Sequence, residues 1–170
     1  MNSQENENPY ETPKTSLEDK NAPQLFNPTA SAVFAFLFGL PVGCFLHAAN
    51  WKRLGDEKYA KANIWIGIVW IIVLLAIFAL IIMLNIANQQ QLEQQINNVS
   101  IIFGLPAVLG WYFGFGKKQK QIIEQKYGQN YPRRNIWWGV LWGIIFLIAF
   151  MAIAFMIPFV LYFLGLVKVA

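Results

Sequence analysis

Long apolar segments alternate with short polar ones along this chain. Four of them contain no Asp, Glu, Lys or Arg, and they cover residues 29–51, 63–84, 99–116 and 136–167. A helix needs about 17–20 predominantly apolar residues to cross a hydrocarbon core about 30 Å thick. Each segment reaches that length. The pattern therefore predicts an all-α membrane protein with four transmembrane helices.

The last apolar segment is longer than one crossing requires. At about 1.5 Å per residue, residues 136–167 would extend about 48 Å. Pro158 lies inside this segment and cannot donate a backbone hydrogen bond. We expect a kink at Pro158 to absorb part of the excess length.

Parts of the chain occur twice. Phe38-Gly39-Leu40-Pro41 returns as Phe103-Gly104-Leu105-Pro106, and the later pattern of Tyr59, Asn63 and Trp65 returns at Tyr131, Asn135 and Trp137. The duplication predicts two tandem parallel-repeat helical hairpins, related by a pseudo-two-fold axis along the membrane normal. We place a disordered polar tail at 1–28, the first hairpin at 29–85, a Gln-rich connector at 86–98 and the second hairpin at 99–170.

Small residues and prolines recur inside the apolar segments. Glycines four residues apart share a helix face and let two backbones approach closely, and this spacing occurs at Gly39 and Gly43, Gly110 and Gly114, and Gly139 and Gly143. Pro41 and Pro106 follow Gly39 and Gly104 at matching positions of the repeat. Paired prolines either kink the bundle or break helices at a binding site, and we favour the kinks.

Charge sets the predicted orientation. Only 13% of the residues are charged against about 25% in soluble proteins, and 56% are hydrophobic. Ten of the thirteen Lys and Arg residues lie in two loops: Lys52, Arg53, Lys58, Lys61, Lys117, Lys118, Lys120, Lys126, Arg133 and Arg134. Lys and Arg mark cytoplasmic loops, so we expect these loops inside and both termini outside. The same loops could contact anionic lipids, and nothing points to nucleic acid.

Candidate chemistry is sparse. His47 is the one candidate for proton coupling within the spans, and we expect it to form a local hydrogen bond near the interface. Cys44 and His47 could share a helix face, but a structural metal site needs four ligands. Asn63 and Asn135 open their segments and are predicted N-caps. We expect no catalytic residue, no cofactor, no metal site and no enzymatic activity.

Three segments carry a resemblance. Leu25-Phe26-Asn27-Pro28, the Gly-Leu-Pro-Val-Gly run at 39–43 and Ala49-Asn50-Trp51-Lys52-Arg53-Leu54-Gly55 make the chain resemble a group of small multi-pass bacterial membrane proteins of unknown function. The likeness covers about residues 25–62. It implies a location in the bacterial inner membrane and supplies no activity, substrate or catalytic residue.

These patterns predict an interaction, accessory or structural membrane subunit, with the bilayer, a second copy or another membrane protein as partner. The alternative is a small solute or lipid transporter that works at the repeat interface. A transporter predicts a wet, polar-lined cavity near Pro41 and Pro106.

Overall fold

The computed structural model describes residues 22–85, 94, 97, 98 and 100–166. Over these residues the chain is helical, and its one extended pairing is an isolated bridge between Leu25 and Arg133. Residues 1–21 of the predicted tail and most of the predicted connector lie outside the described residues. The helices are α1 (Pro28–Phe38), α2 (Leu40–Arg53), α3 (Glu57–Asn85), α4 (Leu105–Trp111), α5 (Lys117–Tyr127) and α6 (Trp137–Phe163).

Two π-helical segments flank α4, at Ser100–Gly104 and Tyr112–Gly116. They join α4 and α5 into one continuous helix over residues 100–127, which we call the central helix. Pro106 cannot donate to the helical hydrogen-bond ladder. The wider turn before it is the kind of adjustment with which helices absorb such an interruption.

The predicted helix over 29–51 is wrong, because the chain reverses at Gly39. Gly39 has φ +97° and ψ 153°, a conformation that glycine adopts readily and other residues rarely do. Pro41 then lies in the first turn of α2, where its missing N–H costs nothing. The result is an antiparallel hairpin of α1 and α2. At about 1.5 Å per residue these helices are about 16 and 21 Å long, so neither reaches across a 30 Å core.

Close packing holds this hairpin together. A Cβ on Gly43 would lie 2.5 Å from Cβ of Ala35 and 3.0 Å from the carbonyl oxygen of Ser31. Only glycine lets the two backbones come this near. The two glycines of the first predicted pair therefore have different roles. Gly39 reverses the chain direction, and Gly43 leaves room for the close approach of α1.

Two of the helices within the described residues are long and apolar enough to cross a membrane, α3 and α6, rather than the predicted four. Only 17% of the most apolar stretch of α3 is buried, and only 6% of that of α6. The core helix of a soluble protein would be mostly buried, so this exposure separates α3 and α6 from that class. Helix α6 continues past Pro158 to Phe163, and a kink there remains a prediction.

Glycines also dock α6 onto α1. A Cβ on Gly139 or Gly143 would lie 2.5 Å from a ring carbon of Phe34 or Phe38, respectively. This pair forms the close contact that its spacing predicts. Gly110 differs: an added Cβ meets nothing within 4 Å, and the same is true of Gly114. That face makes no close contact among the described residues.

The repeated tetrapeptide adopts two conformations. Gly39 reverses the chain, whereas Gly104 is helical with φ −66° and ψ −51°. Pro41 is buried and Pro106 is exposed. The predicted pair of equivalent kinks is therefore wrong. With the repeat offset of 65, the position of Gly43 is taken by Val108, so the second copy has a larger side chain where the first has none.

Candidate functional site

Buried polar side chains gather where α2, α3 and the central helix meet. Among the described residues they are Ser31, His47, Asn50, Asn63 and Gln119, all at most 1% exposed. Buried amides and imidazoles are costly without partners. Their hydrogen bonds therefore show what the cluster does.

Asn50 clamps the segment that precedes α1. Its Oδ1 accepts the backbone N–H of Phe26 at 2.8 Å, and its Nδ2 donates to the Phe26 carbonyl at 2.8 Å. Nδ2 also donates to Oε1 of Gln119 at 3.1 Å. One side chain thus satisfies both backbone groups of Phe26, as a neighbouring strand would. Its position in the last turn of α2 fixes the distance between the two ends of the hairpin.

Gln119 and His47 connect the contact between Asn50 and Phe26 to the central helix. Nε2 of Gln119 donates to the His47 carbonyl at 2.9 Å, and Nε2 of His47 lies 3.3 Å from the Pro28 carbonyl. Because a carbonyl only accepts, this Nε2 carries the hydrogen and Nδ1 is the acceptor. The hydrogen bond of His47 is not the local one predicted, because its partner Pro28 lies 19 positions away, and the residue is fully buried. Its Nδ1 and the Trp51 Nε1 are buried without a partner among the described residues.

Asn63 links α3 to the same cluster. Its Oδ1 accepts the indole N–H of Trp111 at 3.0 Å, and its Nδ2 donates to the Tyr59 carbonyl at 2.9 Å. The predicted N-cap role of Asn63 is wrong, since α3 begins at Glu57 and Asp56 Oδ1 accepts the Tyr59 N–H at 3.1 Å.

Asn135 lies directly before the N-cap position of α6, which Ile136 occupies, rather than at the predicted N-cap itself. Its Oδ1 accepts the N–H of Trp137 at 2.9 Å, at the start of α6. Equivalent positions of the repeat thus serve different purposes.

The segment before α1 is part of the folded unit. Leu25 donates its N–H to Pro132 at 3.1 Å and accepts from the N–H of Arg134 at 2.8 Å. Its side chain is buried against Ile123 and Tyr131. Burial raises the pKa of the Tyr131 phenol, and the nearby Arg133 opposes that shift in part. We call Leu25, Phe26, Asn50, Gln119 and Ile123 the latch, because together they tie the N-terminal segment to α2 and α5.

The predicted basic residues lie around the latch. Those on the exposed surface are Lys52, Arg53, Lys117, Lys118 and Arg133, while Lys120 and Arg134 are half-buried. They come from the loop after α2, from α5 and from the segment before α6. The sequence places only Asp56, Glu57 and Glu124 among them. We call this surface the basic face.

Individual contacts order parts of the basic face. Arg53 donates to the Gln24 carbonyl and Lys118 to the Tyr59 hydroxyl. Lys118 also lies 4.5 Å from the centre of the Tyr59 ring, a cation–π distance. Lys120 pairs with Glu124 at 3.8 Å. Lys52, Arg53, Lys117, Lys118 and Arg133 nevertheless stay exposed, so the surface as a whole can meet a negatively charged one.

No group of three or more His, Cys, Asp or Glu side chains in the described part of the chain could hold a metal ion. Cys44 packs instead against apolar residues, among them Leu40, Val108 and Trp111. Among the described residues, neither Pro41 nor Pro106 lines any of four cavities. One of these cavities is polar and lies between Asn27 and Arg133.

Sequence reasoning missed the latch. Asn50 and Gln119 are visible in the sequence as single amides beside apolar runs. Asn50 lies 24 positions from its partner Phe26, and Gln119 lies 69 positions from its partner Asn50. Nothing in either local pattern points to these partners.

The chain matches no protein-family model, no curated protein and no solved structure.

Proposed function

We propose that this protein is a multi-pass membrane protein with three crossings and one re-entrant hairpin. The observation that carries the proposal is the exposed apolar surface of α3 and α6. The apolar part of the central helix, residues 100–116, is about 26 Å long and supplies the third crossing. The hairpin of α1 and α2 enters and leaves on one side, and its non-helical turn at Gly39 lies beside Phe146 of α6. Such a turn is tolerated at membrane depth where protein covers it.

The hairpin reverses the orientation expected for the N-terminus. Phe26 lies beside Asn50, so the chain enters α1 from the side that carries the basic face. The positive-inside rule assigns that side to the cytoplasm. We therefore propose a cytoplasmic N-terminus and an external C-terminal end of α6, in the bacterial inner membrane that the resemblance implies.

Its proposed role is that of a structural or accessory membrane subunit. The buried amides of Asn50 and Gln119 hydrogen-bond to the protein's own backbone and to each other. Such a network suits a rigid support better than a path for a solute. The latch would hold the basic face as a fixed platform at the cytoplasmic surface. Partners of the platform would be anionic lipid or an acidic surface of another protein.

Cysteine labelling tests the proposed orientation. In a Cys44→Ala background, single cysteines at Ser3, Gln121 and Asn97 are exposed to a membrane-impermeant maleimide on intact cells. We expect Asn97→Cys to react directly, and Ser3→Cys and Gln121→Cys to react only after permeabilisation. Gln119→Cys is the matched control for Gln121→Cys, because Gln119 is buried and should stay unreactive until the protein is denatured. Labelling of Ser3→Cys on intact cells would contradict the proposal.

The same Gln121→Cys variant tests the accessory role. A thiol-linked photo-crosslinker at this position faces the cytoplasm beside the basic face. A subunit of a larger assembly should give one discrete protein adduct whose yield falls on reversal of the charge at Lys117. Adducts to lipid alone would argue against an accessory protein.

A further inference from the structure

An apolar groove runs between α2 and α6. It has a volume of about 480 Å³, and its walls include Phe26, Val42, Phe45, Ala49, Trp142 and Phe146. One charged residue borders it, Arg134, which lies three residues before the start of α6 at Trp137. The groove is therefore amphipathic along its length, with an aliphatic and aromatic trough and a cation at one end.

The position of Arg134 is fixed by the fold. Its backbone N–H donates to Leu25 at 2.8 Å, and its guanidinium lies 4.8 Å from the ring centre of Phe26 and 5.7 Å from that of Trp138. No carboxylate among the described residues forms an ion pair with it. The neighbouring Arg133 does not border the groove: it lies over Tyr131 at 5.5 Å and donates to the Gln129 carbonyl at 3.3 Å.

We infer that this groove binds one anionic phospholipid, with an acyl chain between α2 and α6 and the phosphate on the Arg134 guanidinium. The inference rests on the proposed membrane placement. Phe146 lies twelve positions beyond Arg134, about 18 Å along a helix, which gives an extended chain room to lie in the trough. Trp138 beside Arg134 is typical of the membrane interface, where a phosphate would sit.

Charge selects the headgroup. Any lipid chain could fill an apolar trough in a bilayer, so shape alone does not discriminate between lipids. A guanidinium that forms no ion pair with a protein carboxylate can donate two parallel hydrogen bonds to two oxygens of a phosphate. Choline headgroups place a compensating positive charge beside that phosphate, whereas glycerol headgroups do not. The site should therefore prefer phosphatidylglycerol to phosphatidylcholine.

Native mass spectrometry of the full chain in detergent, titrated with each of these two lipids, tests the site. We expect one bound phosphatidylglycerol with about fivefold or greater preference over phosphatidylcholine, since one basic residue near an anionic lipid is worth about that factor. Arg134→Gln should abolish the preference and Arg134→Lys should keep part of it. Arg133→Gln removes the same charge one position away and should leave the preference unchanged. Equal losses in Arg133→Gln and Arg134→Gln would overturn the site in favour of diffuse attraction.

A second pair of variants tests the trough. Ala49→Phe fills the groove and should weaken binding of both lipids, while Ala152→Phe places the same ring on an exposed face of α6 and should not. Oleate that binds as tightly as phosphatidylglycerol would overturn the phospholipid assignment. The cysteine labels report separately on orientation. If a variant loses its lipid preference while its cysteine labelling is unchanged, the result concerns the groove alone. If the parent chain is labelled differently from what we expect, the proposed membrane placement is wrong.

Discussion

At the scale of single residues, Asn50 connects three parts of the fold: the segment before α1, helix α2 and the central helix. It satisfies both backbone groups of Phe26 and one oxygen of Gln119 inside a site without access to water. An unsatisfied buried donor or acceptor costs about 1–3 kcal/mol. The residue therefore matters mainly through what its loss would leave unpaired.

Asn50→Ala should lower the stability of the protein by at least about 2 kcal/mol, because it leaves the N–H and C=O of Phe26 without partners. Thermal unfolding in detergent measures the change as a lower Tm. Asn130→Ala, in an exposed turn, is the control and should leave Tm within experimental error. Equal Tm values for the two variants would show that the hydrogen bonds between Asn50 and Phe26 do not contribute to the stability of the protein.

At the scale of elements, the hairpin of α1 and α2 depends on a glycine that the second copy lacks. Gly43 leaves room for α1, whereas Val108 occupies the equivalent position in the continuous central helix. The other hairpin contacts are missing from the second copy as well, since Asn50 aligns with Phe115. The first copy of the repeated sequence therefore folds into a hairpin, whereas the second copy forms one continuous helix.

Gly43→Ala should destabilise the protein by about 1–3 kcal/mol, since the new methyl group would lie 2.5 Å from Cβ of Ala35. Gly110→Ala is the matched control on an open helical face, and it should be neutral or stabilising by up to about 1 kcal/mol. Chemical denaturation in a mild detergent compares the two. If Gly43→Ala gains stability as Gly110→Ala does, the close approach of α1 is not needed.

At the scale of the whole molecule, the N-terminal segment joins parts that are distant in the chain. Leu25 is buried under Ile123 of α5 and pairs with the backbone of Pro132 and Arg134. The basic face is thus built from three separate stretches and held by one apolar side chain. Its rigidity should depend on that contact.

Leu25→Ala should therefore loosen the basic face while helices α3 and α6 persist. Removing a buried leucine costs about 2–5 kcal/mol, here concentrated at the contact with Ile123 and Tyr131. Limited trypsin digestion measures it as faster cleavage after Arg133 and Arg134. Leu37→Ala, at an exposed position of α1, is the control and should be cleaved at the parent rate. Unchanged cleavage in Leu25→Ala would mean that the latch does not order this surface.

The sequence alone determined where the apolar and basic segments of this protein lie and that the chain is helical. Those properties are local: a run such as 64–84 is apolar in any fold, and the ten clustered Lys and Arg residues stay clustered. The all-helical class followed from them and is confirmed.

The path of the chain was decided by tertiary structure. Residues 29–51 are apolar throughout, so their pattern suits a single crossing helix and a folded hairpin equally. The choice came from contacts between residues far apart in sequence, namely Gly43 against Ala35 and Asn50 against Phe26 and Gln119. Periodicity reports which side chains avoid water. It does not report which of them contact one another, and here those contacts decide that residues 29–51 fold into a hairpin.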